Sequence, residues 1–371
     1  MLRWSLSKLI VFIALCGVSA ATSLSRPPLY ANGNASALTY KVLQLADLHL
    51  TGISTTACSD PPTGLAVANC TEALATAFIE QLLDVEQPDF VAFSGDNVHV
   101  YGPSEHQAAI DAATDAVEAR GIPYGMVFGN HEEEGDFPRE KIVRLLSEKS
   151  HSYTERGPTD VAGVGNYMLN VSAPVDGAWG KKDDDVFRMY FLDSGAEADT
   201  DKYPFVFSEY DWIRPSQIEY YQKLSVLGNV KSGEVLPGIM FFHIPLAEFG
   251  LTNGDCFGEQ HEWVHNQGMN LRLLSTLSTM GEIKAIFVGH DHLNEYCCRV
   301  DDVQLCYGGG AGFGRAYGSA DFTRRARVIE WSVDSNNRRE IRSWKRHWDD
   351  MSVVHSEEVL YSETEVVVSS S

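Results

Sequence analysis

Five short polar segments of the chain carry the residue types that bind transition metals in proteins. The clearest is Gly289-His290-Asp291-His292, which directly follows the apolar run from Ala285 to Val288. A buried charge is costly unless it is paired or bound to a metal, so these side chains need partners elsewhere in the chain. The other segments supply carboxylate, imidazole and amide groups, which suit Zn, Mn or Fe. The candidate residues of the five segments are Asp47, His49, Asp96, Asn97, Asn130, His131, His243, His290 and His292.

The surrounding pattern places each polar segment at the end of a strand. From Tyr40 onward, short apolar strands alternate with polar loops and with segments whose apolar residues recur at helical spacing. Open α/β sheets bind ligands at the carboxyl ends of their strands, so the five segments can converge at one edge. The stretch from about 135 to 185 is polar and glycine-rich. We expect helices within 71–87, 103–121, 215–227 and 270–280, and a terminal antiparallel meander of strands at 303–309, 325–333 and 339–346.

The whole series resembles the calcineurin-like metallophosphoesterase superfamily over nearly all of the mature chain. The matching motifs are Asp47-x-His49, Gly95-Asp96-Asn97, Gly129-Asn130-His131-Glu132, His243 and Gly289-His290-x-His292. More closely, the segments GNHE, FFHIPLAEF, GHDHLNEYC and LCYGGGAGFGRAYG resemble the branch that contains plant proteins named probable inactive purple acid phosphatases and a related fungal phosphatase. The resemblance implies an α/β fold, a single-domain four-layer α/β/β/α sandwich. We expect this domain over 38–348, followed by a polar C-terminal tail over 349–371.

The resemblance also implies a dinuclear site with two divalent or mixed-valence transition metal ions, Fe, Mn or Zn. Purple members of the family have a tyrosine three residues after the aspartate of the Gly-Asp motif, where this chain has His99. His49 occupies a position that is not a ligand in those enzymes, so the site resembles the ordinary dinuclear type. By resemblance, one ion is held by Asp47, His49 and His292, the other by Asn130, His243 and His290, and Asp96 bridges them.

The implied chemistry is hydrolysis of a phosphomonoester by a hydroxide shared between the two ions, which lower the pKa of a bound water. His131 matches a family histidine that contacts substrate or protonates the leaving group, a task suited to imidazole. Asn97, Arg315 and Tyr317 are further candidate substrate contacts, although the glycine-rich segment that contains Arg315 and Tyr317 is also typical of a β-bulge or a turn cluster. Glu132 either orients ligands or belongs to a solvated loop, and Asp291 is expected to support its neighbours.

Two function classes fit these residues. The first is a phosphoesterase acting on a phosphorylated small molecule or protein, with a phosphodiesterase as a variant. The second is a protein that retains the ions without turnover, as the word "inactive" in the plant names suggests. The 51 acidic and 29 basic residues give a formal net charge of −22, which opposes binding to nucleic acid or to an anionic membrane. The oligomeric state is not predicted.

The first residues are typical of a secretory signal peptide. Basic Arg3 and Lys8 precede an apolar stretch from Leu9 to Val18, and cleavage is expected after Ala20. An uncleaved anchor is the alternative, but the apolar stretch is shorter than the span of about 20 residues that a membrane requires. We therefore expect residues 1–20 to be removed, with no stable membrane insertion afterwards and a secreted product.

Cysteine usage and glycosylation motifs agree with export. Six cysteines outside the signal peptide are compatible with three disulfides, and no pair has the CxxC spacing of a thiolate zinc site, the rival interpretation. We expect Cys58 to pair with Cys70, and Cys306 to pair with Cys297 or Cys298. The remaining candidate is Cys256. Sequons predict glycans at Asn34, Asn69 and Asn170.

Overall fold

The computed structural model describes residues 26–206, 209–252 and 254–363, and the predicted signal peptide lies outside these ranges. Its helices are α1 (Ala73–Glu86), α2 (His106–Ala119), α3 (Arg139–Ser147), α4 (Pro215–Ser232) and α5 (Leu273–Met280). In α1, the buried residues Phe78, Ile79, Leu82 and Leu83 recur at the spacing of one helical face. Pro215 lies in the first turn of α4, where its missing N–H has no intrahelical partner to lose.

The strands form two sheets. In chain order the strands are β1 (Leu29–Tyr30), β2 (Asn32–Asn34), β3 (Ala37–Leu45), β4 (Phe90–Ser94), β5 (Tyr124–Val127), β6 (Tyr167–Ser172), β7 (Asp185–Phe191), β8 (Gly238–Phe241), β9 (Cys256–Phe257), β10 (Ile283–Val288), β11 (Cys297–Val300), β12 (Val303–Tyr307), β13 (Arg325–Asp334), β14 (Arg339–His347) and β15 (Asp350–Ser362). The first sheet has the order β1-β6-β7-β8-β10-β12-β11-β9. The second has the order β15-β14-β13-β3-β4-β5, with β2 paired to β3.

The alternation of side chains along the strands produces four layers. In β4, Phe90 and Ala92 belong to the core between the two sheets, while Val91 and Phe93 pack with α1, α2 and α3. The first sheet likewise packs its outer face against α4 and α5 through residues such as Met240. The fold is therefore the α/β/β/α sandwich that the family resemblance implied.

Parallel strands bring the polar loops to one edge. In the second sheet β3, β4 and β5 run parallel, and in the first sheet β7, β8, β10 and β12 run parallel. Buried Gln44, near the end of β3, donates from its side-chain amide to the Ser94 hydroxyl at 2.9 Å and to the Val288 carbonyl at 3.0 Å. This amide joins the ends of strands from both sheets, so loops from the two sheets meet there.

The structure differs from the expected elements in three places. The stretch from about 135 to 185 contains α3 and β6. The segment expected to open the terminal meander is β12, which lies in the other sheet, parallel to β10 and antiparallel to β11. The expected polar tail over 349–371 includes β15, an edge strand antiparallel to β14 as far as Ser362. Most of its side chains are exposed, so the segment has no apolar pattern that predicts a strand.

Three disulfides join the described cysteines: Cys58–Cys70, Cys256–Cys298 and Cys297–Cys306. The first is the predicted pair, and the third is one of the two alternatives given for Cys306. Asn34 and Asn69 are exposed, and Asn170 on β6 is half-buried. In the part of the chain that the structure describes, no helix combines the length and apolarity needed to cross a membrane.

Candidate metal centre

The backbone of the polar loops adopts unusual conformations at the predicted ligands. Asp47, His49, Asp96 and His290 have positive φ angles of 56°, 47°, 50° and 78°. Non-glycine residues rarely adopt this region of backbone conformation, because it is higher in energy for them. Such residues persist only where the surrounding structure enforces the conformation, and they are often found at functional sites. The first two loops are also held together by their backbones, since the His49 N–H donates to the Asp96 carbonyl at 2.8 Å.

Two glycines allow the loops to approach one another closely. A Cβ atom at Gly129 would lie 2.2 Å from Asp96 Oδ1, and one at Gly95 would lie 2.4 Å from His243 Nδ1. Neither distance is compatible with a side chain. Glycine at these two positions is therefore what allows Asp96 and His243 to occupy the same small space.

Six of the predicted ligands form two adjoining groups. Asp47, His49 and His292 form one group, and Asp96, His243 and His290 form the other, with the potential ligand atoms of each group within 4.8 Å of one another. His49 Nε2 lies 3.0 Å from His292 Nε2. Asp96 Oδ2 lies 3.1 Å from His243 Nε2 and 3.5 Å from His49 Nε2, so this carboxylate stands between the groups.

Hydrogen bonds orient two of the imidazoles. His243 Nδ1 lies 3.0 Å from the Ser94 carbonyl, and His292 Nδ1 lies 2.8 Å from the Tyr317 carbonyl. A carbonyl only accepts, so Nδ1 donates in both rings, and the neutral form of each ring has its lone pair on Nε2, which faces the other site residues. This is the tautomer that a metal ligand requires.

Two buried oxygen atoms in the site also need a partner. Asp47 Oδ2 and Asn130 Oδ1 accept no hydrogen bond from the described residues. Buried polar atoms are normally satisfied, and a bound cation would satisfy both oxygens. The donor set of carboxylate, imidazole and amide oxygen therefore fits a pair of transition metal ions.

The electrostatics of the site also favour binding of metal ions. Burial lowers the pKa of His49 and His290 well below the ordinary value and lowers that of His292 to about 3, so all three are neutral imidazoles near neutral pH. Burial raises the pKa of Asp47 to about 8. A cation beside Asp47 would offset this cost of ionising a buried carboxyl group.

Comparison with known proteins identifies the family. The sequence model for calcineurin-like phosphoesterase matches residues 40–294. The chain belongs to this family. Its relatives include Probable inactive purple acid phosphatase 29 of Arabidopsis thaliana, 32% identical over 87% of this chain and 86% of that protein. Phosphatase DCR2 of Saccharomyces cerevisiae is 32% identical over 83% of this chain and 53% of that protein.

Solved structures share the phosphoesterase fold. A dimetal phosphatase from Danio rerio superposes with a TM-score of 0.55 and 15% identity, over 86% of this chain and 98% of that one. A purple acid phosphatase from yellow lupin (Lupinus luteus) seeds superposes with a TM-score of 0.51 and 13% identity, over 89% of this chain and 55% of that one. At these identities the likeness establishes the fold.

Beneath the loops of the site, the carboxylate of Glu132 holds the backbone in place. Its carboxylate accepts from the Gly129 N–H at 2.7 Å, from the Asn97 N–H at 2.7 Å and from the Asn97 side-chain amide at 2.8 Å. Of the two interpretations of Glu132, the structure supports the one in which it orients the ligand loops. Asn97 is fully buried and also donates to the Val127 carbonyl at 3.2 Å, so the structure places this predicted substrate contact beneath the loops, where it supports them.

A cleft of about 330 Å³ opens over the two groups. His131 lines it and is held by Glu134, whose carboxylate lies 2.8 Å from His131 Nδ1. Burial alone would lower the pKa of His131, but the charges of Asp96 and Glu134 outweigh burial and raise it. Arg315 also lines the cleft, where its guanidinium donates to the His99 carbonyl at 2.7 Å.

The cleft includes residues that the sequence did not indicate, namely Tyr210, Glu262 and His265. His265 Nδ1 lies 2.7 Å from a carboxylate oxygen of Asp291, and that carboxylate also accepts from the Tyr307 hydroxyl at 2.6 Å. Asp291 is thus a supporting residue, as expected. His265 and Glu262 lie in the long connection between β9 and α5, and no strand-end motif marks them in the sequence.

Proposed function

We propose that this protein is a secreted phosphoesterase that hydrolyses a phosphomonoester, either a small molecule or a phosphoprotein, with two transition metal ions of the Fe, Mn or Zn type. The observation that carries the proposal is Asp96, whose carboxylate stands between two buried groups of ligands at 3.1 Å from His243 Nε2 and 3.5 Å from His49 Nε2. A carboxylate in this position suits a bridge between two ions.

The ligand assignment follows the two groups. Asp47, His49 and His292 would hold one ion, and Asn130, His243 and His290 would hold the other. When bound, two such ions polarise phosphate oxygens and make hydroxide available near neutral pH. The buried Oδ1 of Asn130, which accepts no hydrogen bond from the described residues, supports its inclusion in the second set.

His131 is proposed as the general acid. Its Nδ1 contacts Glu134, which leaves Nε2 as the ring nitrogen available to a substrate. Asp96 and Glu134 stabilise the protonated imidazole, so His131 can donate a proton to the departing alkoxide oxygen. Arg315, held at the rim by the His99 carbonyl, would contact a non-bridging phosphate oxygen.

The proposal of secretion is supported by the three disulfides, because such bonds persist in oxidising compartments. The acidic composition supports the proposal that the substrate is neither nucleic acid nor a membrane surface.

A second candidate is a protein that keeps the ions without turnover, and the word "inactive" in the names of the plant relatives favours it. The test is hydrolysis of a chromogenic phosphomonoester and a matching phosphodiester from acid to neutral pH, with metal content measured on the same samples and on His290→Ala. Faster monoester hydrolysis with about two ions per chain, both properties reduced in the variant, is the expected result. Two ions without turnover would favour the second candidate, and preference for the diester would identify a phosphodiesterase.

A further inference from the structure

His99 contacts both a proposed metal ligand and the proposed general acid. Its Nδ1 lies 3.1 Å from His49 Nδ1. Its ring also stacks on the ring of His131, with the centroids 4.3 Å apart and the planes inclined by 27°. His99 stands at the position where purple members of the family have tyrosine, and the sequence alone leaves it as either a substrate contact or an ordinary surface histidine.

The ring orientation of His49 determines the direction of these hydrogen bonds. His49 Nε2 faces His292 Nε2 and Asp96 Oδ2, so Nε2 is the nitrogen that would bind an ion. The proton of a neutral His49 is then on Nδ1, which donates to His99 Nδ1. Because His99 Nδ1 accepts this hydrogen bond, a neutral His99 carries its own proton on Nε2.

An acceptor for that proton is in place. His99 Nε2 lies 3.0 Å from the Tyr101 hydroxyl oxygen, while Glu134 Oε2, 3.4 Å away, accepts no hydrogen bond from the described residues. The other carboxylate oxygen of Glu134 contacts His131 Nδ1 at 2.8 Å. His49, His99 and Tyr101 therefore form a chain of hydrogen bonds in which each bond has one donor and one acceptor, and the ring of His131 stacks on His99 beside this chain.

We infer that His99 is a positioning residue that fixes the tautomer and ring orientation of His49 and, through ring stacking, the orientation of His131. This inference rests on the proposed dinuclear function. The backbone of His99 is itself held, because its carbonyl accepts from Arg315 at 2.7 Å. Loss of a partner that orients a ligand typically weakens metal affinity by about 10–100-fold.

A competing arrangement uses the same atoms. The ring nitrogens of His49, His99 and His131 lie within 4.8 Å of one another and could hold a third ion. The number of ions bound by the wild-type chain distinguishes the two arrangements. Hydrogen bonding among these side chains leaves two ions, and the competing arrangement adds a third.

The experiment is calorimetric titration of the full chain with Zn²⁺ alone, followed by Mn²⁺ alone. The variants are His99→Ala, which removes the acceptor, and His99→Asn, whose amide oxygen can accept in place of Nδ1. His151→Ala is the matched control, because His151 Nδ1 contacts Glu118 at 3.0 Å outside the cleft. Unfolding of each variant is measured in parallel.

We expect two ions in the wild type and about 10–100-fold weaker binding of one of them in His99→Ala. His99→Asn should recover most of this loss, and His151→Ala should bind like the wild type. Unchanged binding in His99→Ala, equal weakening of both ions, or an asparagine variant no better than alanine would overturn the inference. A third ion that is lost in His99→Ala would overturn it as well. Wild-type protein with two ions and no turnover would contradict the proposed function. The binding constants of the variants would still test whether His99 is a positioning residue.

Discussion

The phenol ring of Tyr317 stacks on the imidazole of His292, with the ring centroids 3.6 Å apart and the planes inclined by 12°. The same residue accepts from the His292 backbone N–H through its hydroxyl at 3.0 Å and from His292 Nδ1 through its carbonyl at 2.8 Å. The hydroxyl then donates to Glu262 at 3.0 Å. Tyr317 thus fixes the position, the tautomer and the ring plane of a proposed ligand.

Tyr317→Phe should keep the stack and remove the hydroxyl. The His292 N–H would lose its partner, at a cost of about 1–3 kcal/mol for a buried group left unsatisfied, while the partly buried Glu262 carboxylate would keep the Leu293 N–H. We expect weaker retention of one ion, measured as metal content after dialysis against a mild chelator. Tyr30→Phe is the control, because Tyr30 contacts Asp183 at the surface. Equal metal content in Tyr317→Phe and wild type would contradict the assignment of Tyr317.

Gly129→Ala should remove the metal centre while leaving the fold intact. The new Cβ would lie 2.2 Å from Asp96 Oδ1, so the carboxylate between the two ligand groups must move. We expect hydrolysis to fall by at least about 100-fold, since loss of well-placed positioning has effects of this size. Gly250→Ala is the control, because a Cβ there meets no atom within 4 Å. Circular dichroism verifies folding, and an active Gly129→Ala would show that the bridge assignment is wrong.

The buried ion pair between Arg188 and Glu282 should matter for stability and not for chemistry. The two groups are 3.0 Å apart and fully buried, and Glu282 also accepts from the Tyr190 hydroxyl at 2.8 Å. Glu282→Ala would leave Arg188 as an uncompensated buried charge, which costs about 3–5 kcal/mol of unfolding free energy.

Urea unfolding measures this cost, and Asp84→Ala supplies the comparison. Asp84 pairs with Arg120 at the surface, where such pairs contribute about 0–1 kcal/mol. Hydrolysis per folded molecule should be unchanged in both variants. A Glu282→Ala protein as stable as Asp84→Ala would contradict the predicted cost.

The stability of the protein should depend on His347 below neutral pH. His347 stacks on His355 with centroids 3.8 Å apart. Burial, followed by the positive charges of Arg325 and His355, lowers the pKa of His347 to about 4, although Glu295 and Asp349 oppose the shift. Between pH 4 and about 6.5 the unfolded chain binds the proton that folded His347 does not, so this contribution to stability falls as the pH falls.

His347→Gln removes this titration, and the measurement is the free energy of unfolding of both proteins at pH 7 and pH 4.5. We expect the variant to lose less stability than the wild type on acidification. An identical loss in the two proteins would show that His347 titrates normally in the folded state.

The sequence predicted the loops of the site better than their surroundings. Asp47, Asp96 and His290 follow apolar strands that the hydrophobic pattern identifies, and parallel strands bring such loops to one edge. Glu262 and His265 reach the cleft through an irregular connection, where no local pattern encodes the path of the chain. The motif predicts Asn97 as a substrate contact, but the turn directs its side chain beneath the loops to Glu132.

The adjacent cysteines of β11 have a consequence for oxidative folding. Cys297 lies opposite Cys306 on β12, and Cys298 lies opposite Cys256 on β9. Successive side chains of a strand point to opposite faces, so exchanging the two partners would require β11 to slip by one residue and turn its inter-sheet side chains outward. An isomer with exchanged disulfides could not close the sandwich around its core. The register of β9, β11 and β12 therefore determines which two pairs form among these four cysteines.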